Sequence, residues 1–550
     1  MKKISLFVVA LISMFMFTFV VNAKEVTDVA TLKDCLSNGG ECKLANPIDA
    51  MDDDYTTDDE RIVINKDVNL DLNGMTLKAI FGVEGGKTFT IDSSVKGGKL
   101  IANSRTTASA AGIWVETSKF ILNGGAIVND NGYGIYALDG ATVIINDGSI
   151  ESRYSAVAGN NTTGVTYFEV YGGELTSKEY AAIYQPSPVS LKMTGGILNG
   201  GIELRMGIVD ISGGTINAKD SSFKDPKDCY TDSKPIALPD ALVVLGGTYT
   251  AKGNYSNKLE LNITGGTFNV KNGKGSAVAI YDYGKVEQEI TVNISGSAKL
   301  VTDSLKRGAY NVLSLSDIGV TTPATGYGVY SGKVVTNITG GTFSSDVFDY
   351  TSDNYITVST KDGYVVKPNV EVGTSGSSNT NGTIESETPF DKTLYLEINK
   401  YSDDNAKEAK DQAIGKYKNN KKIKDLKFIG LYEINMVDGV EVWPMENGKF
   451  TISIAIDRSL RNYDSYKVLY FNHDHILEEE FDAKLEDGMI KFTTTHLSDY
   501  AIIGYNSSNS GNSSNVKNPN TGDNIIKYVA LGMLSLAGVG VVVLKKQKQY

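Results

Sequence analysis

The sequence predicts an all-β protein in which a parallel β-helix solenoid is followed by a smaller, sandwich-like β-rich module. Three observations support this fold class. A Gly-Gly motif recurs between apolar positions, a second apolar strand pattern recurs between the motifs, and no Gly pair follows the last motif at residue 340. Gly accounts for 57 of the 550 residues and Pro for only 11, while 41% of the chain is hydrophobic. This composition can supply a core and excludes collagen-like and disordered chains.

The repeated motif is a short strand, a glycine turn and another short strand. Its eleven turns begin at residues 74, 97, 124, 147, 172, 195, 213, 246, 265, 296 and 340. The residue two positions before the turn is apolar in every copy: Leu72, Val95, Leu122, Ile145, Val170, Met193, Ile211, Val244, Ile263, Ile294 and Ile338. Three positions after the turn, only Lys299 is not apolar. Because the buried face changes phase across the glycines, the chain must turn a corner there.

Most turn-to-turn spacings fit one coil of a stacked solenoid. A second strand recurs at a constant offset, at residues 112–114, 134–136, 156–158, 182–184 and 201–203. The long intervals 213–246 and 296–340 are expected to contain loops or a degenerate extra coil. Over about residues 60–370 the chain resembles the right-handed parallel β-helix (pectin-lyase-like) domains of secreted bacterial surface proteins. This resemblance implies an architecture and leaves the activity open, because the fold carries enzymes, adhesins and stalks.

The N-terminus has the pattern of a secretory signal peptide, predicted over residues 1–23. Two lysines precede a largely apolar stretch, residues 6–21, and cleavage is expected between Ala23 and Lys24. The alternative is an uncleaved membrane anchor. Cleavage would give an exported chain.

Residues 24–60 are predicted to cap the open end of the solenoid, with a short amphipathic helix over 29–37. Cys35 and Cys42 flank a turn, and in an exported protein such a pair predicts a disulfide. Two isolated thiols are the alternative. Cys229 is left over, in a loop rich in Asp and Lys.

Beyond the repeats, residues 371–388 are predicted to be a Gly/Ser-rich linker and 506–517 a second linker. Between them, residues 389–505 form the predicted β-rich module, which resembles small modules that precede the wall signal in Gram-positive surface proteins. Its expected elements are a polar helix at 403–417 and strands at 450–456, 466–471, 489–494 and 500–503.

Residues 518–550 contain a short motif, an apolar stretch and a basic tail. The motif consists of Asn518, Pro519, Asn520, Thr521 and Gly522. The apolar stretch predicts a membrane helix at about 525–544, followed by Lys545, Lys546 and Lys548. This order resembles the Leu-Pro-x-Thr-Gly sorting signal of Gram-positive wall proteins, with Asn518 in place of Leu. The resemblance implies that a sortase cuts between Thr521 and Gly522 and joins the chain to peptidoglycan; simple membrane retention is the alternative.

Few residues are candidates for chemistry. The solenoid contains no His, and acidic residues at outward positions, such as Glu203 and Asp210, occur singly. No catalytic residue, metal or cofactor is therefore predicted. The acidic residues between 52 and 60 are interpreted as a solvated loop and not a Ca²⁺ site, and residues 473–475 as a hairpin turn and not a metal site.

One surface is a candidate for ligand contact. Four residues are expected to point inward: Ile113, Ile135, Val157 and Ile183. Their neighbours then form one outward column, spaced by 22, 22 and 26 residues: Trp114, Tyr136, Ala158 and Tyr184. Aromatic rings stack on the apolar faces of sugars. The alternative is that these rings only cover the sheet.

The sequence therefore predicts an extracellular, wall-anchored adhesin or structural stalk that binds a glycan or a host or matrix ligand. A wall-anchored β-helix lyase or glycoside hydrolase is the alternative. The net charge of −12 argues against a nucleic-acid partner. Membrane contact is expected only through the C-terminal helix, before sorting.

Overall fold

A computed structural model of the chain describes residues 23–51, 61–103, 111–160, 164–220, 238–245, 258–281, 289–314, 317, 333–438, 448–472 and 474–508. They belong to two compact units. The first contains the described residues up to 370 together with 389–393, and the second contains 371–388 and those from 394 onward.

Three sheets, named A, B and C, make up the first unit, and strands are numbered along the chain. Sheet A contains, in spatial order, β1 (Lys24–Val26), β2 (Gly40–Leu44), β5 (Val68–Asp71), β8 (Thr88–Asp92), β11 (Lys119–Leu122), β14 (Thr142–Ile145), β17 (Thr166–Val170), β20 (Val189–Met193), β23 (Gly207–Ile211), β26 (Lys258–Ile263), β29 (Glu289–Ile294) and β32 (Lys333–Ile338). Sheet B contains β3 (Ile48–Asp49), β6 (Thr76–Lys78), β9 (Lys99–Ile101), β12 (Ala126–Asn129), β15 (Ser149–Ser152), β18 (Glu174–Ser177), β21 (Ile197–Asn199), β24 (Thr215–Asn217), β27 (Thr267–Val270), β30 (Lys299–Thr302), β33 (Thr342–Phe343), β35 (Gly363–Pro368) and β34 (Tyr355–Thr360). Sheet C contains β4 (Ile62–Ile64), β7 (Phe81–Val83), β10 (Ala111–Glu116), β13 (Tyr133–Leu138), β16 (Val157–Asn160), β19 (Ile183–Gln185), β22 (Ile202–Leu204), β25 (Leu242–Leu245), β28 (Val278–Tyr281) and β31 (Tyr310–Leu313).

The chain visits the three sheets in turn, so that β5, β6 and β7 form one coil and β8 begins the next. Neighbouring strands are parallel and in register throughout, except for the antiparallel pairs that β35 makes with β33 and β34 at the end of sheet B. The prediction of an all-β chain with long parallel sheets is confirmed, and the arrangement is consistent with a β-helix-like solenoid.

Inward side chains stack in columns along the core. In sheet A, Ile263 pairs with Ile294 and Ile294 with Ile338, and all three are fully buried. Each such side chain contributes about 2 kcal/mol of hydrophobic free energy relative to exposure. Since no single coil can enclose these residues, stacking supplies the core.

Two predicted turn positions differ from the pattern. Val95 is 52% exposed, because β8 ends at Asp92 and its last inward residue is Ile91. Val244 is buried but lies in β25 of sheet C and not in a strand of sheet A, and the turn predicted at 246 is outside the described residues.

The two long intervals add no extra coil to sheet A. Strand β23 pairs directly with β26, so one coil extends from residue 213 to residue 265. Strand β29 pairs directly with β32 in the same way, and the interval 296–340 is also one coil. This direct pairing does not support an extra coil, and the loops that were the other expectation fall largely on residues outside those described.

The cap forms around helix α1 (Val29–Asn38), close to the predicted 29–37. The Asp28 carboxylate accepts a hydrogen bond of 2.8 Å from the Thr31 amide, and the Thr31 hydroxyl accepts one of 3.0 Å from the Asp28 amide. Leu32 and Leu36 pack into the solenoid core. A disulfide joins Cys35 of α1 to Cys42 of β2, the pair expected from the sequence.

The second unit is built on an antiparallel sheet. Its strands are, in spatial order, β36 (Glu371–Gly373), β37 (Gly382–Ser386), β40 (Phe450–Ala455), β43 (Met489–Thr494), β42 (Leu477–Glu486), β41 (Ser465–Phe471), β44 (Asp499–Ser507), β39 (Ile423–Val437) and β38 (Tyr395–Lys400). Helix α2 (Lys407–Tyr417) buries Ala409 and Ala413 against a cluster that includes Leu469. A short 3₁₀ turn occurs here at Arg458–Leu460, and another occurs in the first unit at Phe348–Tyr350.

The predicted linker 371–388 is instead part of this sheet. Strands β36 and β37 form a hairpin, and β37 pairs with β40. Val372 and Ile384 alternate with polar neighbours and are both buried. Strand pairing and these two buried side chains therefore order a stretch whose Gly/Ser content predicted a linker.

Several predictions concern residues outside those described. These are the signal peptide up to residue 22, the acidic loop 52–60, Cys229, the sorting motif 518–522 and the apolar stretch 525–544. Among the helices that the structure describes, none is long and apolar enough to cross a membrane.

Candidate functional site

Register along sheet C brings the predicted outward column together. Trp114 pairs with Tyr136, Tyr136 with Ala158, and Ala158 with Tyr184. The residue before each of them, such as Ile135, is buried in the core. Neighbours in the column are thus one strand spacing apart, about 4.8 Å.

Trp114 and Tyr136 stack on each other, with ring centroids 5.2 Å apart and planes inclined by 18°. The guanidinium of Arg61 lies over the Trp114 ring, 4.6 Å from its centroid. Both rings are half-buried. A cation, an indole and a phenol therefore form one continuous stack along the sheet.

Three tyrosines that sequence reasoning missed extend this stack around the corner between sheets B and C. Tyr154 and Tyr180 stack on each other, with ring centroids 4.7 Å apart and planes inclined by 12°. They follow β15 and β18 of sheet B. Tyr133 connects the two stacks, because its ring centroid lies 5.2 Å from that of Tyr136 and 5.3 Å from that of Tyr154. We call Trp114, Tyr133, Tyr136, Tyr154, Tyr180 and Tyr184 the aromatic face. The sequence signal was available, because Tyr154 and Tyr180 each lie four residues before a column position, Ala158 or Tyr184.

Burial differs along the aromatic face. Tyr133 and Tyr184 are only 4% exposed and form its base. The other four rings are half-buried: Trp114, Tyr136, Tyr154 and Tyr180. Burial, assisted by the neighbouring Tyr136, raises the pKa of Tyr133 well above its usual value. The phenol at the centre of the face is therefore neutral at any physiological pH.

Charged groups lie at both ends of the aromatic face. Arg61 covers Trp114 at one end. At the other end Arg153 lies 5.2 Å from the Tyr154 ring centroid, and its Nε is 2.8 Å from the Glu179 carboxylate. Rings that offer apolar surface, with donors and acceptors beside them, suit a ligand that has both C–H faces and hydroxyls.

The outward carboxylates that the sequence singled out have structural contacts. Glu203 pairs in register with Tyr184, is 1% exposed, and has Arg205 Nη2 at 3.9 Å from its Oε1. Asp210 Oδ1 accepts a hydrogen bond of 2.9 Å from the side-chain Nδ2 of Asn262.

A second buried carboxyl, Asp240, was not anticipated. Burial raises its pKa, and it accepts hydrogen bonds from the Ser276 amide at 2.6 Å and the Tyr281 hydroxyl at 2.7 Å. These bonds link consecutive coils, because Asp240 precedes β25 and Tyr281 ends β28. Asp240 therefore links two coils through its carboxyl group.

In the second unit, β41 and β42 are antiparallel and pair as far as Phe471 and Leu477, which is consistent with the hairpin expected at 473–475, of which the structure describes residues 474 and 475. His475 lies in it with a φ of +56°, and its Nδ1 is 3.5 Å from the Asp499 carboxylate. Within the described part of the chain, no group of three or more His, Cys, Asp or Glu side chains is placed to hold a metal ion.

Comparisons of the chain with protein-family models, with curated proteins and with solved structures find no match.

Proposed function

We propose that this protein is an extracellular, wall-anchored surface protein whose right-handed β-helix presents the aromatic face to a glycan. In this role it acts as an adhesin or a ligand-binding stalk. The observation that supports the proposal is the aromatic face itself, two stacked pairs joined through Tyr133 on one side of a rigid scaffold.

Physical chemistry favours a sugar as the ligand. Arg61 and Tyr136 lie against the Trp114 ring, and Arg153 and Tyr180 lie against the Tyr154 ring, so the half-buried rings present apolar edges to a ligand. Packing holds these edges in position, so little conformational entropy is lost on binding. The guanidinium groups of Arg61 and Arg153 border the rings and can donate hydrogen bonds to ring or hydroxyl oxygens.

The proposed location rests on the two ends of the chain. A signal peptide at 1–23 would export the protein, and residues 518–522 resemble a sorting signal that a sortase would join to peptidoglycan. The disulfide between Cys35 and Cys42 supports an exported chain, because disulfides persist in oxidising compartments.

The test compares the full chain with the double variant Trp114→Ala, Tyr136→Ala on a glycan array. We expect the double variant to lose at least tenfold in affinity, with a melting temperature close to that of the wild type. A matched control is Tyr167→Ala with Tyr171→Ala. Tyr167 lies in β17 and Tyr171 directly follows that strand, they are 44% and 39% exposed, and both lie outside the aromatic face. Unchanged binding by the first variant, or equal loss by both, would contradict the proposal. Cleavage of a bound glycan by the wild type would favour the lyase or hydrolase alternative.

A further inference from the structure

A polar cavity of about 390 Å³ lies on the outer side of sheet B, beyond the end of the aromatic face. Three Asn side chains, two Lys side chains and one Asp line it: Asn199, Asn217, Asn269, Lys219, Lys271 and Asp220. Such a lining offers hydrogen-bond donors and acceptors and little apolar surface. Its chemistry complements that of the neighbouring rings.

The three Asn side chains form a ladder across successive coils. Asn217 Nδ2 donates to Asn199 Oδ1 at 2.9 Å, and Asn269 Nδ2 donates to Asn217 Oδ1 at 3.1 Å. A carboxamide has two N–H donors and an oxygen with two lone pairs, so each ladder bond uses only one of each. Asn199 Nδ2 also donates to the Glu174 carboxylate at 2.7 Å and to Thr176 Oγ1 at 3.1 Å, so both donors of the first rung are used. The ladder leaves one donor and one lone pair of Asn217, the middle rung, for a ligand.

Lys219 is held at the wall of this cavity. Its Nζ donates to the carbonyl oxygen of Ser177 at 2.6 Å and also to that of Lys178. An ammonium group has three donors, and these two bonds fix its position while leaving one for a ligand oxygen. The cavity thus has a positioned donor beside the ladder.

The cavity and the aromatic face share a wall. The Tyr180 amide donates to Ser177 Oγ at 3.0 Å, and a Cβ built on Gly200 would lie 3.1 Å from the Tyr180 carbonyl oxygen. Both Ser177 and Gly200 line the cavity. One extended ligand can therefore contact the Tyr154–Tyr180 stack and the ladder at the same time.

We propose that this cavity is a second subsite, which binds the hydroxyl groups of neutral sugar units of the same glycan that stacks on the aromatic face. The proposal rests on the proposed glycan-binding function and adds a ligand class, a neutral oligosaccharide of several units. Neutral sugars are favoured over polyanions because the amides form the continuous row, while Asp220 opposes the charge of Lys219 and Lys271.

The test is a binding series with the purified full chain. The probes are homo-oligomers of glucose, galactose, mannose and N-acetylglucosamine, from monosaccharide to hexasaccharide, with galacturonate oligomers as the anionic comparison. Asn217→Val removes the middle rung and keeps a strand-favouring side chain. The matched control is Asn293→Val, the middle rung of a similar ladder on sheet A, where Asn293 donates to Asn262 at 2.8 Å and accepts from Asn337 at 2.9 Å.

We expect wild-type affinity to rise with oligomer length. Asn217→Val should lower the affinity for the longer neutral oligomers about fivefold to tenfold, as expected for the loss of one or two hydrogen bonds. Its affinity for mono- and disaccharides should be unchanged. Asn293→Val should bind as the wild type does. Asn217→Val removes two ladder bonds and could lower the melting temperature. In that case Asn269→Val, at the end of the ladder, provides the same binding test while removing only one ladder bond.

Three results would overturn the inference. Wild-type affinity of Asn217→Val for all lengths would show that the ladder does not contact the ligand. A preference for galacturonate oligomers would exclude the neutral class. Absence of binding to every probe by the wild type would contradict the proposed glycan function itself, and the inference with it.

Discussion

The backbone of Gly213 lies against the carbonyl oxygen of Thr194, one coil earlier, so closely that a Cβ on Gly213 would overlap that oxygen. Gly214, the next residue, has a φ of +88°, which favours glycine for a different reason. A Cβ on Gly214 would also lie 2.7 Å from the Gly195 carbonyl oxygen. Close stacking alone therefore requires the first glycine, whereas both stacking and the backbone angle require the second.

This relationship predicts that Gly213→Ala destabilises the solenoid by about 2–3 kcal/mol, because a backbone oxygen cannot move aside. Gly140→Ala is the control, since Gly140 has a φ of +83° but no atom within 4 Å of a Cβ placed there. Backbone strain alone should cost about 1 kcal/mol. The denaturant midpoints of Gly213→Ala and Gly140→Ala measure the two losses of stability. Equal losses would show that close stacking does not constrain Gly213.

The inward and outward faces of sheet A can be tested at adjacent residues. Ile263→Asp places a carboxyl in the apolar core and should cost several kcal/mol even after the group becomes protonated (about 2–7 kcal/mol). Thr264→Asp, on an exposed residue, should cost about 0.5 kcal/mol or less. Thermal melts of the two variants provide the comparison, and similar melting temperatures would contradict the assigned faces.

The disulfide of the cap can be removed with Cys35→Ser and Cys42→Ser. A crosslink over so short a loop stabilises by about 2–3 kcal/mol, mainly through the unfolded chain. We expect faster amide hydrogen exchange in α1 and β2 and no change in the second unit, which serves as the internal control. Uniformly faster exchange in both units would contradict a local role.

Acid should weaken the second unit through Glu480. Its carboxylate lies 2.9 Å from Lys416 Nζ and 2.8 Å from Lys467 Nζ. Burial opposes ionisation, but these lysines outweigh it and lower the pKa of Glu480 to about 2. The unfolded chain, with a pKa near 4.3, binds the proton first as pH falls, so this contribution is present above about pH 5 and is lost towards pH 2.

The corresponding variant is Glu480→Gln. Its free energy of unfolding should fall by only about 1 kcal/mol at neutral pH, since solvent screens the ion pairs of Glu480. Its stability should also depend less on pH between pH 5 and 2. Glu486→Gln, an exposed carboxylate of the same strand, is the control. An unchanged acid profile in Glu480→Gln would show that other groups set it.

Wall anchoring predicts a clear effect of Thr521→Ala, because the resemblance implies transfer of the Thr521 carbonyl to peptidoglycan. The variant should move from the wall fraction to the membrane or the medium. Asn520→Ala, at the variable position of the motif, should remain in the wall. Equal release of wild type and Thr521→Ala by muramidase would refute the sorting interpretation.

The fold was predictable where one sequence signal repeats. Periodic inward residues and a constant offset between strands predicted the parallel sheets, and the register placed Trp114 beside Tyr136 as expected. Tyr133, Tyr154 and Tyr180 were missed because their contacts depend on the shape of a corner, which strand periodicity does not determine. The 371–388 hairpin was missed because its composition is that of a linker, and only the pairing with β40 reveals its two inward residues.

Strand β1 begins at Lys24, pairs at once with Cys42, and buries Val26 two residues later. If the leader is removed after Ala23, the mature chain starts almost directly inside a sheet and has no free arm at its N-terminus. An aminopeptidase would then find almost no tail to trim. Cleavage three residues later would instead remove β1 and leave β2 as an unpaired edge strand. If the signal peptide is cleaved as expected, the position of the cleavage therefore also determines where the fold begins.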